Sequence, residues 1–187
     1  MIIFLGLAGS GKSTQSELLA KSLDCPRISI GDLLRSTMDG QEAQRMLAGE
    51  LIEDEKWLPL LDNQLRERAG KEFILDGSPR TIEQARWLVD KVSYHKIIAP
   101  IVIHLNAKKD VVKERLLARG RPDDYEAAIA ERFAEYENKI KPILNYLSEE
   151  GFRVYDINGE QTKETVESEI REAIQGKATT HEGQVTN

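Results

Sequence analysis

Short runs of apolar residues alternate along the chain with longer segments in which apolar residues recur every three or four positions. The short runs occupy residues 2–5, 27–30, 72–76, 100–105 and 152–157. Each has the length and composition of a buried strand, and each is followed by a segment with helical spacing. This alternation predicts an α/β layered fold in which crossover helices join parallel strands. Ligands of such sheets bind beyond the carboxyl ends of the strands.

Helical spacing is clearest in the C-terminal part of the chain and in a polar segment between the second and third predicted strands. From Asp124 to a stop at Gly151, the recurring apolar residues are Ile129, Phe133, Tyr136, Ile140, Leu144 and Leu147. The polar segment predicts short helices at 33–38, 41–49 and about 57–69, which we interpret as a small insertion that closes over a ligand. The residues from Gly176 onward have no apolar periodicity and predict a solvated tail.

Composition and charge narrow the classes of function. The chain has 187 residues and 40% hydrophobic content, which suits one domain with a sizeable core. A formal net charge of −6 argues against nucleic acid as a partner. The single cysteine, Cys25, can form neither an internal disulfide nor a multi-cysteine zinc site, and no window approaches the ~18 apolar residues that span a bilayer. We therefore predict a cytoplasmic protein that does not bind membranes.

A glycine-rich loop follows the first predicted strand. Residues 6–14 read GLAGSGKST and match the pattern GxxxxGK[ST], which ends here at Lys12 and Ser13. Glycines let successive backbone N–H groups point inward, and the following helix directs its positive dipole end at the same point. A glycine-rich turn that binds nothing is the alternative, but the strand before the loop and the amphipathic helix after it favour a phosphate site. Lys12 is then expected to reach the outer phosphates of a nucleotide, and Ser13 to meet a magnesium ion.

A carboxylate closes the third predicted strand. Asp76 follows the apolar run FIL, and a magnesium-dependent phosphate loop needs such a carboxylate at the end of a neighbouring strand. The alternative is a turn-capping role beside Gly77. The phosphate loop favours the metal role. The three histidines lack the spacing of metal ligands, and His104, inside an apolar run, is expected to be structural.

The arginines bear on whether the phosphoryl group goes to water or to a second substrate. Transfer between two polyanions needs more positive charge than one lysine provides. Arg35 and Arg80 follow the second and third predicted strands, and a second group lies around one predicted loop at Arg115, Arg119, Arg121 and Arg132. Interleaved acidic residues allow the alternative of a solvated, ion-paired helix face. The complete set favours convergence on transferring phosphates.

Five ordered segments carry a resemblance to a known family. They are GLAGSGKST at 6–14, IGDLLR at 30–35, GELIEDE at 49–55, FILDGSPRTIEQA at 73–85 and RLLARGRPDDYEAAIAERFAEY at 115–136. Together they resemble the adenylate kinases and the wider nucleoside monophosphate kinases, and the match extends to about Ile174. The resemblance implies a P-loop three-layer α/β/α fold with a five-stranded parallel sheet. It further implies one domain at 1–175, with a small helical monophosphate-binding arm at about 31–60, a short lid at about 119–125 and a flexible tail at 176–187.

The resemblance also implies an activity and roles for residues. The implied reaction is reversible transfer of the γ-phosphoryl group of ATP, the co-substrate, to a nucleoside monophosphate in a Mg²⁺-dependent monomer without a protein nucleophile. The implied ATP-binding residues are Gly9, Ser10, Gly11, Lys12, Ser13, Thr14, Arg115 and Arg119. The implied monophosphate-binding residues are Arg35, Gly77, Arg80, Gln84, Arg121 and Arg132. The implied catalytic residues are Lys12, Arg80, Arg119, Arg121 and Arg132. Ser13 and Asp76 would hold the metal, partly through water that Asp123 also orients.

The acceptor base depends on Gln84, which resembles the glutamine that reads adenine in adenylate kinases. Thr81 and Gln84 also form a capping box at a helix start, so a purely structural role is the alternative. Base reading makes AMP the expected acceptor, and UMP, CMP or dTMP remain alternatives.

Four departures from the family pattern all fall on the acceptor side. Ser78 stands where the family usually has an aromatic residue, Ile30 where it has threonine and Glu53 where it has proline, and the arm between Arg35 and Gly49 is several residues shorter. These changes keep open a further alternative, a nucleotide-binding regulatory protein with little or no transferase activity.

Overall fold

The structure is a computed structural model that describes residues 1–37, 39–47, 52–97 and 100–176. The strands are β1 (Ile2–Gly6), β2 (Arg27–Ser29), β3 (Ile74–Asp76), β4 (Ile101–Asn106) and β5 (Arg153–Asn158). The helices are α1 (Lys12–Leu23), α2 (Ile30–Thr37), α3 (Gly40–Leu47), α4 (Asp54–Glu67), α5 (Ile82–Tyr94), α6 (Lys109–Arg119), α7 (Glu126–Glu149) and α8 (Lys163–Ile174). All five predicted strands are confirmed, with ends that shift by no more than two residues.

Within the described residues, the strands form one parallel sheet in the order β2-β3-β1-β4-β5. Alternate residues of the central strand face two separate cores. Ile3 packs against α4, α5 and α7, whereas Phe4 packs against α1 and α8. A parallel sheet that is covered on both faces needs apolar residues on both, which explains the continuous apolar run of β1. The predicted three-layer α/β/α fold is confirmed.

The strand register brings the ends of β1 and β3 to the same edge of the sheet. Phe4 pairs with Asp76 of β3 and with Ile103 of β4. Gly6 therefore begins the glycine-rich loop close to the end of β3. This edge is where the sequence places the ligand.

The predicted insertion is helical, and its first helix begins earlier than expected. The apolar pattern places Ile30 in the second strand, but Ile30 starts α2 directly after β2, where its side chain is buried in the core. The helix that was expected at about 57–69 begins at Asp54. Helix α7 runs continuously through the expected apolar positions to Glu149.

Some predictions concern residues that the structure does not describe. Of the predicted tail, only Gly176 belongs to the described residues. Met38 and residues 48–51 of the predicted arm also lie outside the described residues. In the described part of the chain, no helix is both long enough and apolar enough to cross a membrane.

Candidate active site

A cavity of about 510 Å³ opens beyond the carboxyl ends of β1 and β3. Its volume lies within the range of small-molecule sites. It brings together all the predicted site residues except Gln84. Those that line it are Gly9, Ser10, Gly11, Lys12, Ser13, Thr14, Arg35, Asp76, Gly77, Arg80, Arg115, Arg119, Arg121, Asp123 and Arg132. Residues that are far apart in the sequence thus meet in one concave surface, and their individual roles stay predictions.

The glycine-rich loop forms an anion-binding geometry. Gly11 precedes α1 with φ of 105°, a left-handed conformation that favours glycine, and it gives the helix no side-chain cap. The first intrahelical bond is donated by the Gln15 N–H to the Gly11 carbonyl. The N–H groups of residues 11–14 precede that bond and face the start of the helix. These N–H groups, together with the helix dipole, are suited to hold a phosphate.

Lys12 lies over the glycine-rich loop. Its Nζ donates to the carbonyl of Gly6 at 2.7 Å and to the carbonyl of Leu7 at 2.9 Å. Burial lowers the pKa of Lys12 to about 8, although the negative charge of Asp76 partly opposes this. Among the described residues, no carboxylate contacts the ammonium group directly, and an incoming phosphate would supply a counter-charge.

Asp76 is buried at the floor of the cavity, and its contacts gather on one oxygen. Oδ2 accepts from Ser13 Oγ at 3.1 Å, from Ser16 Oγ at 3.3 Å and from Arg27 Nη2 at 2.5 Å. Among the described residues, no donor contacts Oδ1. A hydroxyl and a carboxylate side by side are the hard oxygen donors that magnesium accepts together with water and phosphate oxygens. No described group of three or more His, Cys, Asp or Glu residues could hold a metal, but a magnesium ion bound largely by its substrate does not need one.

Two arginines, Arg119 in the predicted lid and Arg132 in α7, are held by one buried carboxylate. Arg119 binds Asp124 through two hydrogen bonds of 2.8 and 2.7 Å, and Arg132 approaches the same carboxylate at 3.4 Å. Arg132 also pairs with Asp123 at 2.6 Å. Burial raises the pKa of Asp124, but the hydrogen bonds from Arg119, the Arg121 backbone and Arg132 together outweigh it and leave the pKa below its ordinary value. Asp124 thus fixes Arg119 and Arg132 beside the cavity. The sequence suggested ion pairs of these arginines only on a solvated helix face, whereas the Asp124 side chain is fully buried.

Three other arginines line the cavity and are held by carbonyl groups or by an exposed carboxylate. Arg115 donates to the carbonyl of Gly159 at 2.8 Å, and Arg80 donates to the carbonyl of Gly77 at 2.8 Å. Arg35 pairs with Asp32 at 2.5 Å, and both side chains are largely exposed. A carbonyl or an exposed carboxylate leaves much of a guanidinium available, so these side chains can turn to a bound phosphate.

Gln84 lies apart from the cavity and is 2% exposed. The predicted cap is present, since the Thr81 side chain accepts from the Gln84 N–H at 3.2 Å. The reciprocal bond differs from a standard capping box, because Gln84 Oε1 accepts from the N–H of Arg80 at 2.7 Å. Gln84 Nε2 donates to Asp54 Oδ1 at 2.6 Å and so joins α5 to the arm. The structural role is therefore observed, and base reading stays a prediction.

Two of the unusual acceptor-side residues point away from the cavity. Ile30 is buried in the core, and its neighbours Ser29 and Gly31 line the cavity instead. Ser78 is also buried, and its neighbours Gly77 and Pro79 line the cavity. In this structure neither substitution changes the cavity wall directly. Glu53 is exposed and forms ion pairs with Arg45 and Lys56.

Sequence reasoning missed several residues of the site. Arg27 contacts Asp76, and Gly159 accepts from Arg115 and lies against the glycine-rich loop. Tyr136 lines the cavity and bonds to His104, which in turn bonds to Asp156. Parallel strands end at the same edge of the sheet. The position of Gly159 just after β5 could therefore have indicated that it lies near the site. The Arg27 contact depends on a side-chain conformation and had no such signal.

Comparison with known proteins gives a consistent result. A family model described as Adenylate kinase matches residues 4–152. The chain is 37% identical over 180 residues to Adenylate kinase 1 of a Nostoc species, covering 92% of this chain and 97% of that protein. It is also 37% identical over 180 residues to Adenylate kinase 1 of a Synechocystis species, covering 92% and 96%. Adenylate kinase of Corynebacterium urealyticum is 36% identical over 172 residues, covering 88% and 93%. A family model that matches most of the chain, with relatives aligned over nearly their whole length, shows that this chain belongs to the adenylate kinase family.

Proposed function

We propose that the protein transfers the γ-phosphoryl group of ATP reversibly to AMP, so that ATP and AMP give two ADP. The observation that carries this proposal is the arrangement of the glycine-rich loop, Lys12 and six arginines around one cavity. A hydrolase needs cations for one polyphosphate only, whereas this site has enough positive charge for two phosphorylated ligands. The protein is a phosphotransferase of the adenylate kinase type.

The donor side of the cavity is formed by the glycine-rich loop and the adjoining ends of α6 and β5. The backbone N–H groups of residues 11–14 and the Lys12 ammonium bind the ATP phosphates. Arg119 neutralises these phosphates, and Arg115, anchored on the Gly159 carbonyl, lies beside the adenosine part. Tight binding here holds the γ-phosphorus in a fixed place.

The acceptor side holds the attacking phosphate oxygen of AMP and supplies the remaining positive charge of the site. Arg35 and Arg80 bind the phosphate of AMP, and Arg121 and Arg132 lie between the two ligands. A phosphate oxygen of AMP forms a bond to the γ-phosphorus while the bond from that phosphorus to the β,γ-bridging oxygen breaks. The bridging oxygen stays on the first ADP, so no proton or electron is gained or lost. Catalysis consists of positioning and charge neutralisation, with water excluded from the cavity.

The donor set around Asp76 fits magnesium. Ser13 and Asp76 would hold the ion, with Asp123 orienting its water. When bound there, magnesium would supply positive charge that neutralises the phosphates. The protein residues themselves hold the Asp76 carboxylate in place, because Arg27, Ser13 and Ser16 donate to it.

The acceptor base is adenine in this proposal, read by Gln84. Ser78 and Ile30 depart from the family pattern, but their side chains point away from the cavity. The departures therefore leave the cavity wall unchanged, which supports the family's usual acceptor. We further propose one kinase domain at 1–175, with an arm at about 31–60 and a short lid at about 119–125 that move on binding. The protein is proposed to act as a cytoplasmic monomer, since one chain supplies every residue of the site.

The test is a coupled assay of ADP formation from ATP against AMP, UMP, CMP and dTMP. The proposal expects AMP to have the highest kcat/KM. If a pyrimidine monophosphate has an equal or higher kcat/KM, AMP is not the preferred acceptor. A bisubstrate analogue that joins two adenosines through phosphates should bind far more tightly than ATP. Tight ATP binding with no phosphorylation of any monophosphate would identify a nucleotide-binding protein without transferase activity.

A further inference from the structure

The side-chain amide of Gln84 is held at both ends by groups whose hydrogen-bonding character is fixed. Its Nε2 donates to the Asp54 carboxylate at 2.6 Å, and its Oε1 accepts from the Arg80 backbone N–H at 2.7 Å. A carboxylate only accepts hydrogen bonds, and a backbone N–H only donates them. These partners therefore determine which end of the amide carries oxygen and which carries nitrogen.

Contacts with the described residues leave half of the bonding capacity of this amide unused. A primary amide has two N–H groups and two oxygen lone pairs, and the described contacts use one of each. The unused N–H and lone pair can meet one edge of a planar base. Gln84 lies on the first turn of α5, four residues after Arg80, and its Oε1 accepts from the Arg80 backbone N–H, so the amide adjoins a residue that lines the cavity.

We propose that Asp54 makes the Gln84 amide selective for 6-aminopurine monophosphates over 6-oxopurine monophosphates. The proposal rests on the proposed function, and it assigns to Asp54 a positioning role through Gln84. The unused N–H of Gln84 donates to N1 of a 6-aminopurine, and the unused lone pair accepts from the 6-amino group. The base enters beside the amide while the bond between Asp54 and Gln84 is retained.

A 6-oxopurine presents the opposite pattern, since its N1 carries hydrogen and its O6 only accepts. Gln84 could match it only with the amide turned by half a rotation. The oxygen would then face the Asp54 carboxylate, and the N–H group would face the Arg80 N–H. Both contacts are repulsive in a buried site. Asp54 therefore rejects the wrong base without touching it.

The experiment compares AMP with IMP as acceptors, because their bases differ at N1 and at the 6-substituent. Asp54→Asn keeps the size of the side chain, but its amide can donate or accept, so position 54 no longer opposes the turned Gln84 amide and only the Arg80 N–H still does. We expect the ratio of kcat/KM for AMP to that for IMP to fall about tenfold or more, mainly through better use of IMP. Equilibrium binding of AMP and IMP, measured by calorimetry, should shift in the same direction.

Glu55→Gln is the matched control. Glu55 is an exposed carboxylate in the same first turn of α4, so its loss changes the charge at the same helix end. The AMP to IMP ratio should not change in this variant. If Asp54→Asn folds poorly by circular dichroism, Asp54→Ala, which also removes the carboxylate from Gln84 Nε2, provides the same comparison.

The outcomes separate this inference from the proposed function. If the wild-type protein prefers AMP but the Asp54 variants keep the wild-type ratio, the selectivity role of Asp54 is wrong and the kinase proposal stands. If the Asp54 variants lose AMP activity without any relative gain for IMP, Asp54 is only structural. If the wild-type protein phosphorylates neither AMP nor IMP, both proposals are wrong.

Discussion

Arg27 and Asp76, which are 49 positions apart in the sequence, form a buried ion pair with Nη2 of the arginine 2.5 Å from Oδ2 of the aspartate. Their side chains are 18% and 4% exposed. Arg27 begins β2 and Asp76 ends β3, and the guanidinium reaches along the strand pair towards the cavity floor. Its Nε also donates to Ser16 Oγ at 2.7 Å, so the arginine connects α1 to the proposed metal-binding carboxylate.

Arg27→Met should destabilise the fold, because the buried Asp76 carboxylate then keeps just two hydroxyl donors among the residues that the structure describes. We expect a loss of about 2 kcal/mol or more in the free energy of unfolding, measured in urea. Lys21→Met is the matched control, since Lys21 pairs with Glu17 on the surface with both side chains more than half exposed. The control should cost less than about 0.5 kcal/mol. Equal costs would show that the buried pair contributes no more than a surface pair.

Gly159 lies where a side chain would collide with the glycine-rich loop. A Cβ at this position would lie 2.7 Å from the Ser10 carbonyl oxygen, and the Gly159 carbonyl accepts from Arg115. Gly159→Ala should push the segment after β5 away from the loop and weaken ATP binding by about tenfold, because the phosphate site and Arg115 shift together. Calorimetric titration with ATP measures the change.

Gly151→Ala is the control for Gly159→Ala. Gly151 has open space around its missing Cβ, but its φ of 84° is unfavourable for alanine. This variant should lose about 1 kcal/mol of stability while its affinity for ATP stays unchanged. Similar losses of ATP affinity in both variants would mean that the effect of Gly159 is on overall stability and not on the loop.

The strands and the glycine-rich loop could be predicted because their signals are local. An apolar run such as residues 2–5 is long enough to be read on its own, and the loop has a fixed spacing. Ile30 was placed wrongly, since a single apolar residue fits the end of a strand and the buried start of a helix equally well. The partners of Asp76 and Gln84 could not be predicted, because they depend on side-chain conformations and on how α4 docks against α5.

Asp124→Asn should reduce stability in a pH-dependent way. The pKa of Asp124 in the folded protein lies below its ordinary value of 3.8, because the bonds from Arg119, the Arg121 backbone and Arg132 outweigh the opposing effect of burial. A lowered carboxyl pKa contributes stability that is present above the ordinary value and is lost as pH falls through the folded value. The wild-type protein should therefore be more stable than the variant by about 2 kcal/mol at neutral pH, and this difference should shrink below about pH 4.

Urea unfolding at a series of pH values tests this dependence, with Glu126→Gln as the control. Glu126 also has a lowered pKa through its bond to Lys113, but both side chains are well exposed. The control difference should stay below about 0.5 kcal/mol at every pH. A stability difference for Asp124→Asn that stays constant into acid would contradict the assigned pKa direction.

Lys12 should take up a proton when ATP binds at alkaline pH. Burial lowers its pKa to about 8 in the free protein, so much of the side chain is neutral above that pH. The phosphates of ATP favour the charged form, which raises the pKa again. Calorimetry in buffers of different ionisation enthalpy, without magnesium, should detect uptake that grows from about pH 7 towards about pH 9. Lys12→Arg keeps the positive charge but does not titrate, so it should bind ATP without this uptake, and Lys12→Met should lose both the uptake and most of the affinity. Proton uptake of equal size in Lys12→Arg would place the titrating group elsewhere in the site.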